Sequence, residues 1–282
     1  MQFVEKSDKG FEEKNILYVN LNSKTSASYE MIAGRLLTNP GVISVAASAG
    51  GKPGTGFTSN GYLPEGLQQP IMANALYVDE NWLKTMEITL LEGRDFRNRR
   101  IDPNKAIINQ TFAAISGWDK PVGKTITRNN IKYEVIGLVR DFNTDSFYEN
   151  IQPLFISTVN EWGPYQNIII KIQPERASEV LKFTELMIKE IDPKNAFEYE
   201  FLEDSLRYSY ASDQKLNILF LVLAVIAIFI SSLGLFGLAT FNTQSRIKEI
   251  SIRKVNGAMI SDILLKFRSE ERRVGKECRS RW

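Results

Sequence analysis

The run LNILFLVLAVIAIFISSLGLFGLATF, residues 216–241, holds no charged residue and no proline, and NTQSRIKEISIRKVNGA follows it at once. A bilayer core of roughly 30 Å takes about 20 apolar residues in a helix, and this run is longer. In hydrocarbon a segment can satisfy its own backbone polar groups only as a helix, so the run is read as one transmembrane span. A buried helix of a large soluble core is the alternative. Uninterrupted length, with basic residues crowded on one side only, favours the span. In its second half Ser231, Gly234 and Gly237 recur every third residue. Small residues at that spacing share a face and let another membrane helix come close, so these three are the candidate helix-packing residues.

Basic residues set the orientation. Residues 201–215 carry Arg207 and Lys215, whereas residues 242–256 carry Arg246, Lys248, Arg253 and Lys254. The positive-inside rule then places the C-terminal side in the cytoplasm and residues 1–210 outside it. Tyr208 and Tyr210 stand where an interfacial aromatic belt would lie. Residues 1–14 contain no apolar leader stretch, so the outer domain is expected to depend on something upstream, and the chain reads as a piece of a longer one.

Composition narrows the chemistry. The chain of 282 residues is 43% hydrophobic and 24% charged, as an ordinary folded protein is. Its net charge of +2 is concentrated in the last fifteen residues, which sum to +3 and leave the body at −1, too little to suggest nucleic acid as a partner. Histidine is absent, which removes Ser-His-Asp and Cys-His catalysis and every histidine-bearing zinc site. The one cysteine, Cys278, permits no disulfide within the chain.

Ahead of the span two strand–helix–strand patterns are legible. In the first, residues 15–21 (NILYVNL) form a strand, Ser26 or Ser28 caps a helix through Leu37, and residues 42–47 form a second strand after Asn39-Pro40-Gly41. In the second, residues 167–172 (NIIIKI) form a strand, residues 174–191 a helix, and residues 197–202 a strand with one wet face. The fold class expected is α+β: an extracytoplasmic domain of two split βαβ units, about residues 11–48 and 166–204, with a β-rich subdomain inserted at about 49–165. Within the insert, residues 75–78, 105–108 and 132–139 read as strands, and 80–86 and 110–115 as helices.

Several motifs invite chemistry and are better explained without it. Gly123-Lys124-Thr125 has five residues, not four, between Gly117 and the GKT, and it reads as a turn before a hairpin. The glycines of residues 50–56 lack the dinucleotide spacing and form a loop. Asp102, Asp141, Asp145 and Glu149 sit at turns where aspartate usually bonds its own backbone, and nothing in the sequence gathers them. The sequon at Asn109 is a three-residue pattern that recurs by chance. No cofactor is expected on this chain.

Past the span, residues 245–255 read as a helix with Glu249 and Arg253 at i,i+4 and Gly257 as its stop. Ile247, Ile250, Val255 and Ala258 share a broad face, suited to a bilayer surface or a partner's groove. Residues 261–267 then begin another helix.

At this point LGLFGLA (residues 233–239) followed by RIKEISIRKVNGA (residues 246–258) resembles the FtsX/MacB-type ABC transporter permeases, especially the long forms common in Bacteroidetes. EGRDF (92–96), AIIN (106–109), PVGK (121–124), VIGLVRDF (135–142) and IQP (151–153) resemble that family's periplasmic core domain, so the likeness covers about residues 1–267. The resemblance implies a non-catalytic permease subunit of the inner membrane, with residues 1–210 periplasmic, a span over about 211–242 and a cytoplasmic part over 243–267. It implies an ABC ATPase as partner, which is where ATP is used, together with a second permease copy or half and a periplasmic adaptor or enzyme. It also implies that Arg246, Lys248, Glu249, Ile250, Ile252, Arg253, Lys254, Gly257 and Ala258 form the coupling helix that rests on the ATPase. Ser251 stands where the family usually has glycine. Against that pattern the chain begins after an expected first span and ends before a third, and residues 268–282 are expected to be an artefactual tail. The competing reading is a single-span sensor or anchor with an extracytoplasmic ligand-binding domain.

Overall fold

The structure, a computed structural model, describes residues 10–54, 56–97, 101–144, 150–158, 163–194 and 196–257, with the side chains of 209–217, 242, 249, 250 and 253 set apart. The chain divides into two units, Met1–Ser212 and Asp213–Trp282.

In the first unit β1 (Ile16–Asn20), β2 (Val42–Ala49), β11 (Asn167–Ile172) and β12 (Tyr199–Phe201) lie side by side in the order β12-β1-β11-β2, every neighbour antiparallel. One face takes Leu17, Val19, Val45, Ala47, Ile168 and Ile170 against two helices, α2 (Tyr29–Leu36) and α5 (Ala177–Ile191). The opposite face is buried too: Ile16, Tyr18, Ala46 and Ile169 meet Trp82, Leu83 and Met86, together with Leu202 and Leu206. Strands covered on both faces leave few wet positions, and so residues 16–19 and 168–170 are continuous runs of buried apolar residues.

The helix entry differs from expectation. A short helix α1 (Ser23–Ala27) comes first, capped by Asn22: its Oδ1 accepts from Lys24 N and Thr25 N, each at 3.0 Å, and Thr25 Oγ1 accepts from Asn22 N. Ser28 stands at the head of α2, but its hydroxyl donates back to the Lys24 carbonyl at 3.2 Å and caps nothing. Pro174–Arg176 forms a tight 3-10 turn ahead of α5. β12 is shorter than expected, because Leu202 turns inward as the first residue of the long helix that follows.

Residues 49–165 contribute β3 (Gly51–Lys52), β4 (Gly56–Pro64), β5 (Ile71–Val78), α3 (Trp82–Thr85), β6 (Leu90–Gly93), β7 (Lys105–Asn109), α4 (Gln110–Ile115), β8 (Thr125–Arg128), β9 (Ile131–Val139) and β10 (Leu154–Ser157). The sheet continues from β2 through β5-β10-β7-β9-β8-β4-β3, with β6 on β9. Its junction with the first strands is narrow: β2 and β5 pair only at Ser48↔Val78 and Ala49↔Tyr77. Gly123-Lys124-Thr125 does lead into a hairpin, β8–β9, turned by Asn129 and Asn130 at φ of 47° and 62°. Gly93 and Gly137 face each other across β6 and β9, where a Cβ on Gly93 would lie 2.1 Å from the Ile136 carbonyl oxygen. β4 and β10 escape sequence reading, since one is largely polar and the other is four residues behind Pro153.

Asn109, the sequon residue, is fully buried. Its Oδ1 accepts from Phe112 N at 3.0 Å and Leu154 N at 2.8 Å, and its Nδ2 donates to the Gln152 carbonyl at 3.0 Å, so one side chain caps α4 and starts β10. Arg94 grips Asp102 through two parallel hydrogen bonds of 2.7 and 2.8 Å, and Arg97 N adds a third at 3.0 Å. Arg94 above all holds the Asp102 carboxyl down at about 2.

α6 (Leu202–Ser245) begins in the first unit and continues into the second. Its segment Ile218–Ser245, 28 residues, is long and apolar enough to cross a membrane, and its large side chains are exposed, Leu221 at 67% and Phe236 at 70%. α7 (Ile247–Val255) follows after a turn at Arg246.

Two outcomes follow for stability. Asn109→Ala should leave two backbone N–H groups without their acceptor and cost about 3 kcal/mol in denaturant unfolding, with glycosylation at this position absent. Because the folded pKa of Asp102 lies below its unfolded value of about 4, its stabilisation is present above that value and is lost as pH falls toward 2. Arg94→Ala should therefore lose less stability than the wild type between about pH 5 and pH 2.5 in urea titrations.

Candidate functional site

The residues expected to couple this chain to a partner fall on α7 and its ends. The helix ladder of α6 is interrupted at Arg246, whose N–H reaches back three residues to the Thr243 carbonyl at 3.2 Å and whose φ of −115° lies outside the helix range. α7 then runs for nine residues and closes with Asn256 N on the Ile252 carbonyl at 3.1 Å and Gly257 N on Lys254 at 3.2 Å. Gly257 has φ +88°, the left-handed stop that glycine adopts without a Cβ penalty. Ile247, Ile252 and Val255 are exposed, and so are Lys248 and Lys254. The helix is thus short, basic and studded with uncovered apolar side chains. Glu249, Ile250 and Arg253 have their backbones in α7 and their side chains outside the described ones, and Ala258 lies outside the described residues.

In α6, Ser231, Gly234 and Gly237 are exposed, and a Cβ placed on either glycine would meet nothing within 4 Å. Four hydroxyls of the same helix are satisfied internally: Ser232, Thr240, Thr243 and Ser245 each donate to the carbonyl four residues back at 2.8–2.9 Å. A hydroxyl in hydrocarbon needs such a partner. At the other end of the helix Leu202 and Leu206 are buried in the core of the first unit, while Tyr208 is exposed. The side chain of Tyr210 is outside the described ones.

Of the candidate carboxylates, the two described ones have separate partners. Asp102 is committed to Arg94 and Arg97, and Asp141 accepts from Thr111 N at 3.0 Å and Thr111 Oγ1 at 2.8 Å at the head of α4. Asp145 and Glu149 lie outside the described residues. Among the described residues no group of three His, Cys, Asp or Glu could hold a metal ion. Lys124 and Thr125 of the GKT turn are both engaged by Glu65, at 3.2 and 3.1 Å, which puts a carboxylate where a phosphate would have to sit.

Two contacts had no sequence signal. Lys52, in the glycine-rich loop, donates to Glu200 at 2.7 Å and lies 5.1 Å over the Tyr18 ring, which ties that loop to the strand just before α6. Tyr29 donates to the buried Asp79 across the narrow junction of β2 and β5.

Comparison with known proteins agrees with this architecture. The family described as the MacB-like periplasmic core domain matches residues 1–183. The macrolide export ATP-binding/permease protein MacB of Sodalis glossinidius is 24% identical over 213 residues, covering 67% of this chain and 31% of that protein. The Burkholderia cenocepacia protein of the same name is 28% identical over 163 residues, covering 52% of this chain and 23% of its own. The chain therefore spans about a quarter to a third of the length of these relatives. Among solved structures, the periplasmic region of MacB from Actinobacillus actinomycetemcomitans superposes with a TM-score of 0.52 at 16% identity, covering 74% of this chain and 98% of that one. The chain belongs to the family of the MacB-like periplasmic core domain, found in ABC permeases of the FtsX/MacB type.

Proposed function

We propose that this chain is a permease subunit of an ABC-type export or mechanotransmission complex of the bacterial inner membrane, carrying ATPase motion through the bilayer to a periplasmic domain. The observation that carries this reading is α6. One helix starts with Leu202 and Leu206 in the domain core, continues through an apolar stretch long enough for a bilayer, and is followed at once by the short basic helix α7. About 1.5 Å of rise per residue makes the 28-residue apolar stretch about 42 Å long, more than the hydrocarbon core requires.

In this reading residues 1–210 are periplasmic, with β12-β1-β11-β2 and their helices as a pair of split βαβ units. The span covers about 211–242, and residues 243–267 are cytoplasmic. Arg246, Lys248, Glu249, Ile250, Ile252, Arg253, Lys254, Gly257 and Ala258 rest on a separate ABC ATPase, which alone uses ATP. Ser231, Gly234 and Gly237 meet a helix of a second permease copy or half. The chain itself makes and breaks no covalent bond and binds no cofactor.

The test uses the full-length gene with its co-purified ATPase in nanodiscs. Proline cannot reach the positive φ of Gly257, so Gly257→Pro should distort the end of α7, and Glu249→Lys reverses a charge within it. Each should lower substrate-dependent ATPase stimulation by on the order of tenfold, about 1.4 kcal/mol of coupling, with unchanged hydrogen exchange in residues 10–208. Full stimulation in both variants would remove α7 from the interface. Failure of any ABC ATPase to co-purify would favour a single-span sensor.

A further inference from the structure

The narrow junction between β2 and β5 is crossed by one polar side-chain contact that α6 and α7 do not involve. Asp79 follows the last residue of β5; its N–H donates to the Ala47 carbonyl of β2 at 3.1 Å. Its side chain is 3% exposed. One carboxylate oxygen accepts from Tyr29 Oη of α2, and the other accepts from Asn81 N at 3.2 Å. Tyr29 is itself buried and packs edge-on against Tyr165, in the segment before β11, at 5.2 Å between ring centres. Through its N–H and its carboxyl, Asp79 thereby joins β2, β5 and α2, and it does so where the sheet has only two residue pairs of its own.

A cation would normally balance a buried carboxylate. Here the groups that act on the pair are Glu80 in the same turn, Glu30 beside Tyr29 on α2, Tyr165, the Asn81 N–H and the Ala47 backbone. None is positive, and among the described residues Asp79 has no ion pair. The nearest cation in sequence, Lys84, is exposed on α3, and Lys52 and Arg94 are engaged by Glu200 and Asp102.

We propose that the buried Asp79 carboxyl beside Tyr29 is a proton-operated fastening of the β2–β5 junction, closed when the carboxyl holds its proton and loosened when the proton leaves to solvent. With the proton, the pair is neutral and its burial costs little. Without it, the junction encloses a charge that only hydrogen bonds offset. Burial is the main cause that moves the Asp79 carboxyl up, to about 7, against the opposing effect of the Tyr29 hydrogen bond. A folded pKa above the unfolded value of about 4 means that the contribution is fully present below that value and is lost as pH rises through about 7. The direction is opposite to that of Asp102. Periplasmic fluid follows the pH outside the cell, so such a group would report the environment to the domain whether or not α6 transmits motion.

The experiment is hydrogen exchange of the full chain in nanodiscs, corrected for intrinsic rates, at about pH 5.5 and pH 8.5. Protection of the junction amides in residues 45–49 and 76–79 should fall on the order of tenfold at the higher pH, while α5 stays unchanged. Asp79→Asn, neutral at both values, should abolish the difference. Tyr29→Phe removes the donor that favours the charged carboxylate, so it should move the midpoint to higher pH, and infrared difference spectra should follow the same midpoint through the protonated carboxyl band. Equal wild-type protection at both pH values would overturn the proposal, as would a fall that persists in Asp79→Asn or a midpoint that Tyr29→Phe leaves in place.

Discussion

Burial of β1, β11 and β2 on both faces is the constraint from which the rest of the first unit follows. Helices α2 and α5 seal one face, and a sheet of this kind commonly leaves the other to solvent. Here Trp82, Leu83 and Met86 around α3, and Leu202 and Leu206 from the start of α6, close the second face. The residues that complete the core are therefore also the first turn of the helix that leaves the domain. Full burial of side chains such as Leu202 and Leu206 is worth roughly 1.5–3 kcal/mol each. The base of α6 is for that reason part of the folded domain.

Residues 49–165 are held onto this core in an uneven way. A shared apolar cluster runs from Ile16 and Tyr18 to Ile136, Val139, Leu154 and Ile156, whereas the backbone link between β2 and β5 is limited to two residue pairs and the adjoining Asp79 N–H to Ala47 carbonyl bond. Apolar contact is tolerant of direction and hydrogen bonding is not, so a junction rich in the first and poor in the second can adjust without opening its core. Polar contacts supply the missing direction. Tyr29–Asp79 and Lys52–Glu200 cross from the inserted strands to the first ones, and Lys52 ties its loop to the strand that precedes α6. The family likeness gives these contacts a setting: a MacB-like periplasmic core domain joined to a span.

The resemblance motifs acquire physical reasons in the fold. EGRDF and VIGLVRDF meet where Gly93 pairs with Gly137, and only glycine permits that approach. The arginine of the first motif holds Asp102, and the final aspartate of the second caps α4. AIIN ends in Asn109, a buried side chain that organises a helix and a strand. Each is a structural device of the domain, and Asp102 and Asp141, two of the four carboxylates that invited a catalytic reading, are spent in this way.

The sequence by itself determined what local chemistry can encode. Apolar runs at residues 16–19, 168–170 and 218–241 specified buried strands and a helix long and apolar enough to cross a membrane, since length and periodicity are properties of the chain alone. Gly257 specified the end of α7, because the left-handed stop depends on one residue. Only the tertiary structure decided the rest. Asn22 caps a separate short helix α1 ahead of α2, and Ser28 at the N-cap of α2 turns its hydroxyl to the Lys24 carbonyl. β4 and β10 became strands through neighbours that no local pattern names. Tyr29 with Asp79 and Lys52 with Glu200 are 50 and 148 residues apart, and their meaning comes from burial and proximity, which exist only once the sheet has formed.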